Sequence, residues 1–186
     1  MPDGSSELAR SILELYQTRG LAAYFGERVS MCEHALQAAH FAQAEGAPAP
    51  LVLAALLHDI GHLLEEVPEA IEAWKTDARH EETGARWLAR RFPPVICEPV
   101  RLHVPAKRYL CATDPDYLAR LSAASVHTLS LQGGPMPAAE AAQFRTQPFW
   151  QDAVRVRRWD DQGKVAGLQT AGLSDYAALI ERLARA

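Results

Sequence analysis

Residues 56–62, Leu-Leu-His-Asp-Ile-Gly-His, bring three ionisable side chains into an otherwise apolar part of the chain. His58 and Asp59 are adjacent, and His62 follows about one helical turn later. Residues 51–57 are all apolar, which is typical of a helix that is buried on every side. Burying a carboxylate or an imidazolium without a partner is costly. A metal ion would offset that cost, because it supplies the opposite charge and accepts the lone pairs.

A single His-Asp pair could equally be two core side chains that hydrogen-bond to each other, so the metal hypothesis depends on the rest of the chain. Further candidate ligands fall within or at the ends of other predicted helices. The whole set is His34, His58, Asp59, His80, His103 and Asp160. Helical bundles build metal sites from side chains on facing helices. Imidazole and carboxylate ligands without thiolate suit iron, manganese, zinc or nickel. Six such ligands, with one aspartate able to bridge, predict a site for two metal ions.

Apolar residues recur at helical spacing along most of the chain, whereas the alternation typical of strands is almost absent. The predicted helices cover 5–20, 29–45, 50–62, 77–92, 95–104, 115–121, 122–131, 138–144, 149–160 and a closing segment from 174. Pro105 is expected to end the helix that carries His103. The sequence predicts one all-α domain over residues 1–186, built as a helical bundle around a buried dinuclear site.

Composition narrows the function classes. The chain has 186 residues, of which 48% are hydrophobic and 23% charged, enough for a core without disulfides. A net charge of -4 argues against a nucleic-acid binder. The three cysteines form no CxxC pair, so neither a thiolate zinc site nor a disulfide framework is indicated. No signal peptide or membrane span is expected, so the predicted location is cytoplasmic without a membrane partner. Composition specifies no oligomeric state.

Two cations accompany the candidate ligands. Lys107 follows His103 by four residues, and Arg157 precedes Asp160 by three, on the same helix face. Ammonium and guanidinium groups bind phosphoryl oxygens well. The spacing therefore favours a small anion pocket beside the metals, although such side chains more often lie on the surface.

The order of the candidate ligands resembles the HD-domain superfamily, whose members are helical and bind one or two metals. Many are phosphohydrolases, and a minority are oxygenases with a mixed-valent di-iron centre. The resemblance implies that His34, His58, Asp59 and Asp160 hold one metal. It also implies that His80 and His103 hold a second, with Asp59 as the bridge.

Longer stretches between Tyr24 and Asp161 closely resemble the glycine-forming 2-amino-1-hydroxyethylphosphonate dioxygenase group. They are 24–27 (Tyr-Phe-Gly-Glu), 33–37 (Glu-His-Ala-Leu-Gln), 54–62, 103–109 (His-Val-Pro-Ala-Lys-Arg-Tyr), 131–136 (Leu-Gln-Gly-Gly-Pro-Met) and 157–161 (Arg-Arg-Trp-Asp-Asp). This resemblance implies an Fe(II)/Fe(III) pair, O2 as co-substrate, and oxidative cleavage of the carbon–phosphorus bond of a small organophosphonate.

The same resemblance assigns roles around the metals. The residues expected to hold the phosphonate are His62, Lys107, Ser125 and Arg157, and Gln132 is a further expected substrate contact. His62 could instead orient a metal ligand, and Gln132 could simply brace its turn. Tyr24 would occupy an iron position in the resting enzyme, and Glu27 would bind the cationic nitrogen of the substrate. That nitrogen could be primary or methylated, and aromatic faces able to hold a quaternary ammonium are Phe25, Trp74 and Tyr109.

Two other functions use the same ligands. A hydrolase would attack a small phosphate ester with metal-bound hydroxide; it would need the anion pocket but neither Tyr24 nor Glu27. A catalytically silent metal-binding or signalling domain would need no pocket at all.

Overall fold

A computed structural model describes residues 7–64 and 75–185. The helices are α1 Glu7–Arg19, α2 Met31–Ala44, α3 Ala49–Leu57, α4 Ile60–Leu64, α5 His80–Leu88, α6 Pro94–Thr113, α7 Pro115–Ala119, α8 Ala123–Leu131, α9 Ala138–Phe144, α10 Trp150–Gln162 and α11 Ala177–Leu183. Within the described residues the only β-type pairing is an isolated bridge between Ala23 and Ser30. The predicted all-α class is confirmed. None of the helices described is both long and apolar enough to cross a membrane.

Helix α3 lies at the centre of the bundle. Its residues 51–57 are all buried, and it packs against α2, α6 and α10. A helix that is apolar all round gains most from burial when neighbours cover every side. The three covering helices each carry one candidate ligand, which are His34, His103 and Asp160 in chain order. The apolar character of α3 thus brings these side chains together.

The central helix is interrupted at His58 and Asp59, the two adjacent candidate ligands. A continuous helix through His62 was expected, but α3 ends at Leu57 and α4 begins at Ile60. The His58 ring hydrogen-bonds to the carbonyl of Ala55 through Nδ1, at 2.8 Å. His103 makes the same contact with Val100 inside the continuous helix α6, so this bond orients the ring and does not by itself end a helix. The turn at residues 58 and 59 directs His58 and Asp59 inward on consecutive residues.

Helix α6 corrects a second expectation. It continues through Pro99 and Pro105 to Thr113 instead of ending at Val104. An interior proline removes one backbone hydrogen bond and typically costs about 3 kcal/mol. Buried residues continue along the helix past Pro105, including Ala106 and Leu110, and their packing offsets that cost. Because α6 is continuous, Lys107 lies one turn after His103 on the same face.

Side-chain caps fix the starts of three helices near the site. Ser30 and Glu33 form a reciprocal capping box at the start of α2, and Glu33 directly precedes His34. Ser122 Oγ accepts the backbone N–H of Ser125 at 3.2 Å, at the start of α8. Asp114 likewise caps α7. Such caps each stabilise a helix by about 1 kcal/mol, and here they also set the direction of the side chains in the first turn.

Gly61 allows α4 and α5 to approach closely. A Cβ atom at this position would lie 2.0 Å from the carbonyl oxygen of His80. We expect Gly61→Ala to displace α5, to lower the free energy of unfolding by about 1–3 kcal/mol or more, and to reduce the bound metal. Denaturant unfolding and elemental analysis would measure both effects.

Gly167→Ala is a suitable control. Gly167 has φ +76°, and among the described residues no atom lies within 4 Å of its Cβ position. An alanine there adds only backbone strain, on the order of 1 kcal/mol. Equal metal loss in both variants would contradict the role assigned to Gly61.

Candidate metal centre and substrate pocket

Two pairs of histidines face each other across one carboxylate. The Nε2 atoms of His34 and His58 are 3.1 Å apart, and those of His80 and His103 are also 3.1 Å apart. Asp59 Oδ2 lies 3.6 and 3.4 Å from the first pair. Its other oxygen, Oδ1, lies 3.2 and 3.4 Å from the second. All five side chains are buried, and Asp59 presents one oxygen to each pair.

Backbone carbonyls determine which ring nitrogens face inward unprotonated. Three Nδ1 atoms contact carbonyl oxygens: His34 to Gly163 at 2.9 Å, His58 to Ala55 at 2.8 Å and His103 to Val100 at 2.7 Å. A carbonyl only accepts, so each Nδ1 carries the proton and each Nε2 of a neutral ring presents a lone pair. When His34 and His58 are both neutral, two lone pairs converge beside a carboxylate oxygen. Without an ion there, burial would lower the pKa of His58, but the charge of Asp59 outweighs it and raises that pKa to about 9. Such a cluster is stabilised by a cation at its centre.

The spacing within each group fits a metal ion. Nitrogen and oxygen ligands about 2.0–2.2 Å from one ion lie about 3.0–3.5 Å from each other in octahedral or tetrahedral arrangements. Asp160 adds Oδ1 to the first group, 3.5 Å from His34 Nε2, and within the described residues this oxygen accepts no hydrogen bond. His34, His58, Asp59 and Asp160 could therefore hold one ion, and His80, His103 and Asp59 a second.

His62 lies against the second group. Its ring stacks on His80 with centroids 3.8 Å apart and an interplanar angle of 19°. Asp59, His62 and His80 also have candidate ligand atoms within 4.8 Å of one another. His62 is thus placed either to orient His80 or to meet a ligand bound at that ion.

Neighbouring charges and burial set the protonation states of the two buried aspartates and of His34. Burial alone would favour protonated Asp59 and Asp160, but neighbouring charges outweigh it. His58 contributes most for Asp59 and Arg157 most for Asp160, so both pKa values fall below the ordinary carboxyl range. Burial, assisted by the charge of His58, lowers the pKa of His34 to about 4. The site thus keeps its carboxylates ionised and its His34 ring neutral, as metal binding requires.

Two buried cations form one wall beside the ligands. Lys107 Nζ donates to Thr128 Oγ1 at 2.9 Å. Arg157 Nη1 lies 2.7 Å from Asp160 Oδ2. Both side chains are almost fully buried, with 2% and 4% of their surface exposed. Long cations are rarely buried unless partners compensate, so this wall is suited to an anion.

One pocket is lined by the two cations, by several candidate ligands and by all five of the remaining expected residues, which are Tyr24, Glu27, His62, Ser125 and Gln132. Its internal cavity is about 40 Å³, and the empty space rises to about 430 Å³ when the solvent at its mouth is included. The lining comprises Tyr24, Phe25, Glu27, Asp59, His62, His80, His103, Val104, Lys107, Ala124, Ser125, Thr128, Gln132, Arg157, Asp160 and Lys164. His34 and His58 are fully buried and do not line it.

A tight turn directs Tyr24 and Glu27 into the pocket. Phe25 and Gly26 have φ of 40° and 85°, and the Glu27 amide donates to the Tyr24 carbonyl at 2.8 Å. The Tyr24 hydroxyl donates to Asp59 Oδ2 at 2.8 Å, and its ring stacks on His34 at 3.9 Å. Burial and the Asp59 charge raise the pKa of Tyr24 well above its ordinary value. The hydroxyl therefore lies protonated beside the first metal group.

The profile of the HD domain matches residues 31–126, about half of the chain. The chain belongs to the HD-domain family. A protein of Leisingera caerulea named 1-hydroxy-2-(trimethylamino)ethylphosphonate dioxygenase (glycine-betaine-forming) is 44% identical over 186 residues, which cover 98% of this chain and 95% of that protein. A hydroxymethylphosphonate dioxygenase of Gimesia maris is 46% identical over 176 residues, covering 94% and 87%.

Sequence reasoning missed several residues of this HD-domain site. Lys164 and Thr128 line the pocket. Tyr117 and Asp161 do not line it, but they bind the side chain of Arg157. Arg157 Nε donates to the Tyr117 hydroxyl at 2.9 Å, and Arg157 Nη2 pairs with Asp161. The one available signal was spacing, because Asp161 follows Arg157 by four residues on a helix.

One expected aromatic contact is wrong. Tyr109 does not line the pocket but packs with Phe144 and Trp150 in a separate apolar cluster, with ring centroids 5.1 and 5.8 Å away. Its neighbours on α6 face the site, but the helical period turns Tyr109 away. Phe25 lines the pocket as expected, and Trp74 lies outside the described residues.

The two ligand groups make a testable prediction about metal content. We expect His34→Ala and His103→Ala each to lose about one of two bound ions, because each removes a ligand from a single group. Asp59→Asn should reduce both, because its two oxygens face different groups. Elemental analysis of metal-loaded protein would measure the ratio.

His40→Ala serves as the control, since His40 contacts Phe41 and belongs to neither group. It should keep the metal content of the parent protein. An Asp59→Asn variant that retains both ions would overturn the bridging arrangement.

Proposed function

We propose that this protein is a di-iron oxygenase that uses O2 to cleave the carbon–phosphorus bond of a small 1-hydroxyalkylphosphonate. The expected substrate is 2-amino-1-hydroxyethylphosphonate or an N-methylated analogue, and the products are phosphate and glycine or glycine betaine. The names of the two relatives support this reaction class. So does a pocket that joins a candidate two-metal site to two buried cations.

The donor set is as compatible with iron as with manganese, zinc or nickel, and the proposed use of O2 favours iron among them. We propose that His34, His58, Asp59 and Asp160 hold one iron, and that His80 and His103 hold the other with Asp59 between them. Nitrogen and oxygen ligands without thiolate are typical of iron sites of this kind. An Fe(II)/Fe(III) pair, when bound, would supply O2 binding and the transfer of electrons from the substrate.

The chain's own residues would bind and orient the phosphonate. Lys107 and Arg157 lie beside the candidate ligands and would neutralise its negative charge. Ser125 lies 3.5 Å from Arg157 Nη2 and would add a hydroxyl contact. These groups are fixed by packing before the ligand arrives, so they cost little reorganisation when charge shifts toward phosphate. His62 would approach the same ligand from the α4 side.

The proposed reaction balances without an external reductant. The C1–H and C1–P bonds break, C1 becomes a carboxylate carbon, and phosphorus gains the oxygen that makes phosphate. One O2 molecule supplies the two oxygen atoms and accepts four electrons from the substrate. The reaction therefore requires only the phosphonate and O2 to enter the pocket.

The position of Tyr24 is the observation that favours an oxygenase over a hydrolase. Its hydroxyl contacts the Asp59 oxygen that faces His34 and His58. A phenol there can occupy a metal position until substrate binds, and its withdrawal would open that position to O2. A hydrolase needs only water at this point.

The reaction itself can be tested directly. Iron-loaded protein would be incubated with 2-amino-1-hydroxyethylphosphonate and with its N-trimethyl analogue, with and without O2. We expect phosphate release only with O2, together with glycine or glycine betaine. Phosphate release from simple phosphate esters without O2, with both phosphonates intact, would establish the hydrolase instead.

The pocket also predicts a pH dependence of anion binding. Burial, and then the charge of Arg157, lowers the pKa of Lys107 to about 7. Lys107 is therefore charged below that pH and loses its charge above it, so phosphonate affinity should fall by up to about tenfold per pH unit above 7. Calorimetric titration with 2-aminoethylphosphonate between pH 6 and 9 would measure this fall.

Lys107→Arg provides the comparison, because arginine stays charged throughout this range. Ionisation of the ligand is the same for both proteins, so only the difference between them reports on Lys107. Identical pH profiles for the two proteins would exclude Lys107 as the titrating group.

A further inference from the structure

We propose that Lys164 sets the preference between phosphonates that carry a cationic amine and those that do not. It does so by competing with the substrate's ammonium group for Glu27. This inference rests on the proposed function and adds a specificity-determining residue to it.

Lys164 lies between two parts of the pocket. Its side chain is only 12% exposed. The ammonium group donates to Ser125 Oγ at 3.1 Å, on the side of the pocket where Arg157 lies. On its other side it is 3.9 Å from Glu27 Oε1. Two further carboxylates are near: Asp161 Oδ1 at 3.6 Å and Asp160 Oδ1 at 3.9 Å.

Glu27 has an unused acceptor. Its Oε1 atom is buried, and within residues 7–64 and 75–185 it accepts no hydrogen bond. The Lys164 ammonium at 3.9 Å is close enough to neutralise Glu27 but too far to hydrogen-bond with it. A buried carboxylate oxygen in this state gains from a donor that approaches more closely. A ligand ammonium can provide that donor or, if methylated, the positive charge alone.

The position of Glu27 suits the end of the ligand away from the phosphonate. A second depression, which also includes Ser122 and His127, shares Phe25, Glu27 and Ala124 with the pocket. Glu27 therefore lies where two cavities meet. The buried cations Lys107 and Arg157 line the pocket but not this depression.

The two kinds of substrate would use Lys164 differently. An ammonium group paired with Glu27 releases Lys164 from that carboxylate, so that Lys164 keeps its bond to Ser125 and interacts with the phosphonate. A substrate without an amine leaves Lys164 paired with Glu27, and the acceptor stays neutralised by the protein itself. Lys164 thus makes amine-free phosphonates acceptable and reduces the advantage of the amine.

Binding of two analogues tests this role apart from catalysis. Ethylphosphonate and 2-aminoethylphosphonate differ by one ammonium group, and both lack the C1 hydroxyl that the reaction requires. Calorimetric titration of metal-loaded protein without O2 would give the ratio of their Kd values. We expect Lys164→Gln to shift this ratio about tenfold in favour of 2-aminoethylphosphonate, and Lys164→Arg to keep it near that of the parent protein.

Matched variants separate specificity from general loss of charge. Lys75→Gln removes an exposed lysine and should leave the ratio unchanged. Glu27→Gln should shift the ratio in the opposite direction, which keeps the proposal testable if Lys164→Gln does not fold. Thermal unfolding would establish that each variant is folded.

An unchanged ratio in folded Lys164→Gln, or an equal weakening of both analogues, would overturn the proposal. Failure of the proposed function would look different: the parent protein would release no phosphate from any hydroxyphosphonate in the presence of O2. The binding ratio does not depend on that turnover, so the two failures can be told apart.

Discussion

The rest of the site depends on the carboxylate of Asp59. Each of its oxygens faces a different histidine pair, and the oxygen toward His58 also accepts the Tyr24 hydroxyl. A buried carboxylate with this many neighbours stays ionised only because cationic or hydrogen-bonding groups surround it. Position 59 therefore links the two candidate metal positions to each other and to the residue proposed to gate one of them. The helix break that follows α3 is what allows His58 and Asp59 to point into the same space.

The apolar surface of α3 provides the force that assembles this arrangement. Covering it requires α2, α6 and α10 to pack around it, and hydrophobic burial supplies most of the stability of such contacts. The candidate ligands are then held by helices whose positions are already determined by the core. Hydrogen bonds from Nδ1 to backbone carbonyls fix the rings of His34, His58 and His103. Packing and metal geometry thus depend on the same helices. Helices α4 and α5 add the close contact at Gly61 that positions His80, so a methyl group at Gly61 is expected to disturb both.

The helices and the types of the candidate ligands could be predicted because each rests on local information, whereas the grouping of the ligands into two sets came from the resemblance to the HD-domain superfamily. Helical period identifies the helices, and few side-chain types can bind a metal. The extension of α6 past Pro105 could not be predicted, because the local cost of proline is offset by packing that only the folded chain reveals. Lys164 was missed for another reason. It lies beyond the end of α10 in a non-helical segment, where periodicity assigns no face, and only the turn at Gly163, whose carbonyl contacts His34, returns it to the site.

The distribution of charge in the pocket constrains what can bind there. Lys107, Arg157 and Lys164 all line it, whereas its carboxylates are shared with the metal groups, apart from Glu27. The lining carries three cations and three carboxylates, so two bound metal ions would create a positive excess, and a low-dielectric cavity cannot hold such an excess without an anion. A doubly charged phosphonate near Lys107 and Arg157 balances it, and metal loading and substrate binding should therefore favour each other. Glu27 makes the opposite end of the pocket receptive to positive charge. The electrostatic potential therefore changes sign along the pocket, as the charges of a zwitterion do along its length. Either the protein's own Lys164 or the substrate supplies that positive charge, and on our proposal this choice decides how strongly the pocket prefers aminated over amine-free phosphonates.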